Sequence, residues 1–351
     1  MNVQNLKNLT LQQSQEWDQT VRSFSDYDVY YLSGYVKTFQ LHGDGEPLLF
    51  HYEGNGLRGM NVVMKRDVSR DPHFTGKLPE ETYFDFATPY GYGGWLLEGK
   101  GDRTPLFAAY EKWCRDNAIV SEFVRFHPVL GNTAFHGGAY EIVRLGGTVT
   151  MDLSSPENIW ANLTSKNRNM IRKARKNGLR IYNGRFPKAF DVFREIYNAT
   201  MDKDQAKEYY YFDPAFYESV LNDLPHNAQV FWAQMTDGTV AAASILLSAN
   251  GRMNYHLSGS CRKLQNLAPT NLLLYEAALW GCANGCKTLH LGGGVGSGED
   301  SLYTFKKAFY RGDPCRFHIG RKVFLPEIYE NLTALRMDLP ENSGFFPRYR
   351  A

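Results

Sequence analysis

The sequence has no disulfide framework. Its five cysteines, Cys114, Cys261, Cys282, Cys286 and Cys315, are odd in number and scattered over 351 residues, which excludes a cross-linked secreted scaffold and fits a reducing compartment. Long apolar runs are missing as well. The longest, residues 240–247, is interrupted by Ser244 and falls far short of the ~20 residues of a membrane-spanning helix. The opening MNVQNLKNLT lacks the charged and apolar regions of a signal peptide. A cytoplasmic protein with no integral membrane segment is therefore expected. Charge of one sign is also lacking: 39 Lys and Arg against 37 Asp and Glu leave a net +2, so contact with a polyanion has to be local. No metal site is expected. Cys282, Cys286 and His290 are spaced four apart, but Gly285 ends the helix between them and no fourth ligand is evident.

What is present is core-forming material. Hydrophobic residues make up 43% of the chain, with 22 Tyr and 22 Phe, the profile of a folded protein with polar-tipped aromatic pockets. The length suggests two domains of about 150 residues each.

One stretch, residues 290–309 (HLGGGVGSGEDSLYTFKKAF), has the make-up of a site. A short strand runs into Gly292, Gly293, Gly294, Gly296 and Gly298, which allow a backbone to approach a ligand closely. Glu299, Asp300 and Ser301 are capping residues for a following helix. On that helix Phe305 and Phe309 fall on one face, leaving Lys306 beside the glycines. Neither common nucleotide loop is present. No lysine follows the glycines at the spacing of G-x-x-x-x-G-K-[ST], and the last glycine of G-x-G-x-x-G is replaced by Glu299.

Along the chain, residues 11–24 read as an amphipathic helix, with a short helical segment near 34–39. Asn55-Gly56 joins two strands in a hairpin, 82–87 is a strand leading into an aromatic glycine loop, 104–119 is a helix and 122–127 a strand. Ser154-Ser155-Pro156-Glu157 and Gly178 bracket one long helix over 156–177. Within it Arg168, Arg172, Arg175 and Lys176 align as a basic stripe. Helices near 190–201 and 214–224 precede a meander over 229–258, then a helix over 270–284, a strand over 288–291 and a last strand over 316–324. Strand, polar loop, helix, strand recurs in both halves, after hairpins in each. This pattern suggests two similar α/β domains with mixed sheets, over residues 1–150 and 151–324, with a tail over 325–351 packing on the first, and a site between the two domains.

The run K-x-R-x-x-I-R-K-A-x-K-x-G over 166–178, together with HLGGG and DSLYTFKKAF, and with TPYGYGGW over 88–95 and NLLLYEAALWG over 271–281, resembles the Fem-type transferases (FemABX). The likeness covers most of the chain. It implies two tandem GNAT-like domains and transfer of an amino acid from aminoacyl-tRNA to an amine of a UDP- or lipid-linked peptidoglycan or other cell-envelope precursor. Relatives with the same domain use acyl-CoA, so the co-substrate is aminoacyl-tRNA or acetyl-CoA, with no tightly bound cofactor. Residue by residue, the resemblance makes Phe305-Lys306 the pair near the transferred acyl group, with Lys306 offsetting charge on a tetrahedral intermediate. It makes Lys203, where the family has arginine, and Lys37 phosphate-binding positions. Gly292, Gly293 and Gly294 become a backbone cradle, Tyr90 and Tyr92 the lining of an acceptor cleft, and Arg168, Arg172 and Arg175 the polyanion contact. His256, His290 and Asp300 are the nearby candidates for a base, none of which is singled out.

Two alternatives have their own signatures. An acetyl-CoA-dependent N-acyltransferase acting on an amino sugar or polysaccharide precursor would present [RQ]-x-x-G-x-[GA] at a helix start. The corresponding CRKLQNLAPTN lacks the glycines, although Arg262 and Lys263 are available to phosphates. A non-catalytic member would bind a glycan or nucleotide without transferring anything.

Overall fold

Asn55-Gly56 and Asn250-Gly251 take left-handed backbone angles, φ 54° and 71° in the first pair and 48° and 72° in the second. This is the two-residue hairpin turn that Asn-Gly reaches at least cost. Each pair sits inside an antiparallel meander. In the computed structural model, which describes residues 5–339 and 344–351, the chain divides into two units, Met1–Leu145 with Phe317–Ala351, and Gly146–Arg316.

In the first unit β1 (Leu6–Leu9), β2 (Glu46–Gly54), β3 (Leu57–Asp67) and β4 (Phe84–Ala87) are antiparallel neighbours, and β5 (Leu96–Gly99) pairs with the start of β3. β6 (Ile119–Arg125) runs parallel to β4, and the later residues of β13 (Cys315–Val323) close the order. Helices α1 (Ser14–Arg22), α2 (Ser33–Leu41) and α3 (Thr104–Asp116) belong here. Phe50, Phe86, Trp95 and Tyr110 form the centre of its core. The stretch expected as one helix over 11–24 begins as a 3₁₀ turn and becomes α-helical only at Ser14.

The chain returns to this unit after Arg316. Residues 340–343 of the expected tail lie outside the described residues. Asp85, fully buried, accepts from Arg66 Nε at 2.7 Å, Arg350 Nε at 2.5 Å and the Tyr349 hydroxyl at 3.0 Å. Burial pushes its carboxyl up, but Arg66 and Arg350 outweigh that and hold it below its usual range. Arg350→Ala is therefore expected to cost about 2–4 kcal/mol of stability, because a buried carboxylate loses one of two cationic partners, an effect readable from the midpoint of urea unfolding.

In the second unit the later residues of β7 (Glu141–Asp152), then β12 (Thr288–Gly292), β11 (Arg252–Ser260), β10 (Val240–Ala249), β9 (Ala228–Gln234) and β8 (Arg180–Gly184) lie in that order. β11 and β12 are parallel and joined by α8 (Pro269–Ala283); the other pairs are antiparallel. This repeats β4, α3 and β6 of the first unit, a meander followed by a parallel crossover. Helices α4 (Pro156–Asn162), α5 (Ser165–Lys176) and α8 pack into one core with Phe231, Met253, Leu289 and Leu291. On the opposite face, α6 (Pro187–Lys203) passes so close over Gly259 that a Cβ there would lie 2.7 Å from the Ile196 carbonyl oxygen. Helix α7 (Pro214–Asp223) follows α6.

The single helix expected over 156–177 is two. Leu163 and Thr164 are extended (ψ 143° and 155°), and Thr164 caps the second helix by accepting from Asn167 N at 3.2 Å. A threonine with a free side-chain oxygen three residues before a helical amide competes with the helix it interrupts. The break turns the Thr164 amide to the carbonyl of Ala308 at 3.0 Å, which brings α5 to the end of the helix that carries Lys306.

Candidate functional site

β12 ends where Gly292 adopts φ 78° and the pairing with β7 slips between His290 and Gly292. The chain then turns through glycines into α9 (Ser301–Lys307). Asp300 ties this turn at both ends: one carboxylate oxygen accepts from Tyr303 N at 2.8 Å, the other from Val295 N at 3.0 Å. These backbone donors, that of Tyr303 first, hold the Asp300 carboxyl below its usual range. Its role is that of a helix cap, and an ionised, doubly bonded carboxylate is a weak candidate for a base.

Phe305 and Phe309 lie edge to face at 5.4 Å, with Phe309 fully buried. Their shared face seats the helix and points Lys306 at the turn. Its ammonium donates to the Gly293 carbonyl at 2.6 Å. Lys306 is only 8% exposed. Burial pushes its pKa down to about 8, with Asp300 pulling the other way. The sequence-predicted pair and the glycines Gly292, Gly293 and Gly294 are thus brought together, and the result is a desolvated cation next to a bent backbone.

The flanking groups are less obvious from sequence. His290, 3% exposed, places Nδ1 2.8 Å from the Thr150 hydroxyl, which in turn lies 3.5 Å from Cys315 Sγ. His256 is the extra residue of a β-bulge: Ile245 pairs with Leu257 and Leu246 with Tyr255. Burial lowers its pKa to about 3, so it is neutral and weakly basic at pH 7. β11 and β12 pair only across Arg252–Asn254 and Thr288–His290, and β11 continues to Ser260 beyond that pairing. Pairing that stops partway along two parallel strands, beside a bulge, has a signature in register and none in composition.

The crossover loop holds a second feature. In Gln265-Asn-Leu-Ala268-Pro-Thr270, Ala268 takes the left-handed conformation (φ 58°) that glycine occupies at lower cost. Pro269 then begins α8 without an amide hydrogen.

Of the basic stripe, Arg168 is folded back, with one guanidinium nitrogen donating to the Leu163 carbonyl at 2.7 Å and the other to the Ser165 hydroxyl at 3.2 Å. Arg175 pairs with Glu276 at 2.6 Å and lies over Tyr275, and Arg172 lies over Trp160. Lys166, Lys173 and Lys176 are exposed on the same helix. Lys203 ends α6 and meets Asp204 at 3.0 Å.

Lys37, Tyr90 and Tyr92 belong to the first unit. Lys37 is exposed on α2. Tyr90 stacks on Phe39 of the same helix at 5.2 Å, and Tyr92 packs edge-on against Tyr30 and Phe317. A missed neighbour is Arg125, half-buried, its guanidinium carbon 5.9 Å from the Tyr90 ring centre and its Nε without a partner among the described residues. An arginine in an apparently apolar strand, EFVRF, is the signal that would have found it. Among the described residues no cluster of three His, Cys, Asp or Glu is placed to hold a metal ion, and no helix is long and apolar enough to cross a membrane.

An acetyltransferase (GNAT) domain model matches residues 165–307. No curated protein matches the chain. Among solved structures, FemX is similar at TM-score 0.63 and 13% identity, over 93% of this chain and 99% of FemX. A conserved protein of unknown function from Bacteroides thetaiotaomicron follows at 0.59 and 10%, over 90% and 99%. The C-terminal domain of a protein taken to be a lysylphosphatidylglycerol synthetase from Agrobacterium fabrum gives 0.56 and 13%, over 89% and 91%. The chain is FemABX-like in fold, two tandem GNAT-type units with mixed sheets, and the part of its second unit over residues 165–307 is similar to the acetyltransferase (GNAT) domain.

Proposed function

We propose that this protein is an aminoacyltransferase of the cytoplasm that moves an amino acid from aminoacyl-tRNA to an amine of a peptidoglycan or other cell-envelope precursor. The observation that carries the reading is the buried Lys306 ammonium held 2.6 Å from the Gly293 carbonyl, in a fold similar to FemX. The amine nitrogen attacks the ester carbonyl carbon, and the new C–N bond leaves negative charge on the carbonyl oxygen. Lys306 offsets that charge in a site with little water to screen it. Collapse breaks the C–O bond, and the proton lost by the amine ends on the departing ribose hydroxyl. Thr164 and Asn167 both bond the Ala308 carbonyl, so the basic helix α5 starts at the end of the Lys306 helix, where the donor's phosphates would run.

A second reading, acetyl-CoA as donor, is favoured by the GNAT domain match. Against it stands Pro269, which removes an amide from the turn that would grip the CoA pyrophosphate. Calorimetric titration with acetyl-CoA, and in parallel with charged and uncharged tRNA at two salt concentrations, separates them. Salt-sensitive tRNA binding that weakens by about tenfold or more when Lys166, Arg172, Lys173 and Lys176 are changed to glutamine supports the aminoacyl reading. Saturable acetyl-CoA binding with no specific tRNA binding overturns it. The first unit would hold the acceptor, with Lys37, Tyr90, Tyr92 and Arg125 as its contacts.

A further inference from the structure

The sheet of the second unit ends in an aromatic strip in which two rings are exposed and the third, Trp232, is half-buried. Strand β8 pairs with β9 and with no other strand among the described residues, and α6 packs mainly over β10 and β11, with a smaller contact to β9. Tyr182 and Trp232 are register partners across β8 and β9, with ring centres 5.9 Å apart and planes inclined by 23°. Phe186, just past the end of β8, meets the same indole edge-on at 6.1 Å, and its ring lies against Gly184, where a Cβ would collide with it. Tyr182 is 43% and Phe186 46% exposed. A buried core has no use for three rings held in fixed mutual geometry at a sheet edge.

Every charged residue in the run from Arg180 to Phe190 is cationic. Arg180 stands on the same side of β8 as Tyr182, two residues away, and is exposed, as is Lys188 in the first turn of α6. Arg185 has Nε and one Nη shielded from solvent with no hydrogen-bond partner among the described residues. Neither β8 nor β9 carries a carboxylate. The side-chain amides of the two strands are engaged already: Gln229 donates to Asn183 at 2.9 Å and Gln234 to the Gly238 carbonyl at 2.7 Å. A neutral sugar stacked on such rings needs acceptors for its hydroxyls, and the strip has few to give. A polyanion with flat bases finds both of its requirements: π faces for the bases and guanidinium or ammonium groups for the phosphates.

We infer that the strip formed by Tyr182, Trp232 and Phe186, flanked by Arg180, Arg185 and Lys188, binds a single-stranded segment of RNA. It rests on the reading of tRNA as donor and deepens it: an unpaired stretch of the donor stacks on the sheet edge, at the opposite side of the sheet from β12.

The test uses the full-length protein and a fluorescein-labelled oligouridylate of about twelve nucleotides, followed by anisotropy. The expected result is salt-sensitive binding that weakens about 5- to 100-fold in Trp232→Ala and in Tyr182→Ala, is largely retained in Trp232→Phe, and loses about one unit of salt slope in Arg185→Gln. Unfolding midpoints of the variants monitor folding, and Trp232→Phe keeps the test informative where Trp232→Ala is destabilised. Absence of oligouridylate binding by the unaltered protein overturns the inference, and so does binding that Tyr182→Ala and Trp232→Phe share unchanged with Trp232→Ala. Binding of a soluble peptidoglycan fragment in place of the oligonucleotide, or a dimer that dissociates in Trp232→Ala, also overturns it. Oligonucleotide binding without aminoacyl transfer from tRNA leaves the strip standing and removes the donor reading. Transfer from tRNA without oligonucleotide binding does the reverse.

Discussion

Lys306→Met is expected to lower kcat for acyl transfer by about 10²- to 10³-fold, the usual loss when one preorganised donor to a developing oxyanion is removed. Donor affinity changes little, because the charge matters most when the carbonyl oxygen becomes negative. Methionine fills nearly the same volume among the same neighbours and removes a cation that is only 8% exposed. The unfolding midpoint should therefore stay within a few degrees of the original. A rate defect without a stability defect is the combination that assigns chemistry to this side chain. Single-turnover transfer compared with thermal unfolding of the same preparation measures both, and unimpaired transfer would sink the assignment.

The same residue sets a pH dependence. Lys306 is charged below about 8, so transfer that needs the ammonium has an alkaline limb near that value and loses rate above it. Stability moves the other way. The folded pKa lies below the ordinary 10.5, so between about 8 and 10.5 the unfolded chain binds more protons than the folded one and stability rises with pH. The full difference corresponds to about 3 kcal/mol for this group, and the increment should vanish in Lys306→Met.

Much of this was legible in the sequence, and what was missed has physical reasons. Asn-Gly pairs fix hairpins locally, and the i, i+4 pair Phe305 and Phe309 fixes where Lys306 points, so both could be read from spacing. Strand β7 could not be read. Its EIVRLGGTVTMD carries Gly146 and Gly147, which in sequence look like a break. In the fold they stand where the site loop presses on the strand: a Cβ on Gly146 would collide with the Ser297 carbonyl, and one on Gly147 would meet the Tyr303 hydroxyl at 3.1 Å. The glycines report a close approach between distant segments, and nothing local encodes that. Strand β8 was missed because RIYNG has neither alternation nor length, its rings being at a surface edge. The basic stripe was right in spacing but incomplete in meaning, since spacing does not show that Arg168 turns back to Leu163 or that Arg175 is matched by Glu276.

Gly294→Ala is expected to cost about 10²-fold in kcat with Lys306 untouched, because the added methyl would overlap the Gly298 carbonyl and the Asp300 carboxylate. The carboxylate holds Val295 and Tyr303 together, so the methyl opens the turn and displaces the Gly293 carbonyl from Lys306. A shift of about 1 Å at the reacting centre is enough for a loss of this size. Asp300 offers a finer separation, since it does two things. It caps α9 through geometry, and it supports the Lys306 charge through its own. Asp300→Asn keeps a good cap and removes the charge, so the rate at pH 7 should hold better than in Asp300→Ala while the alkaline limb moves below 8. Asp300→Ala loses the cap as well, and both rate and limb should fall. If the limb of Asp300→Asn stays where it was, the titrating group is not Lys306, and the electrostatic role given to this lysine fails even where Lys306→Met is inactive.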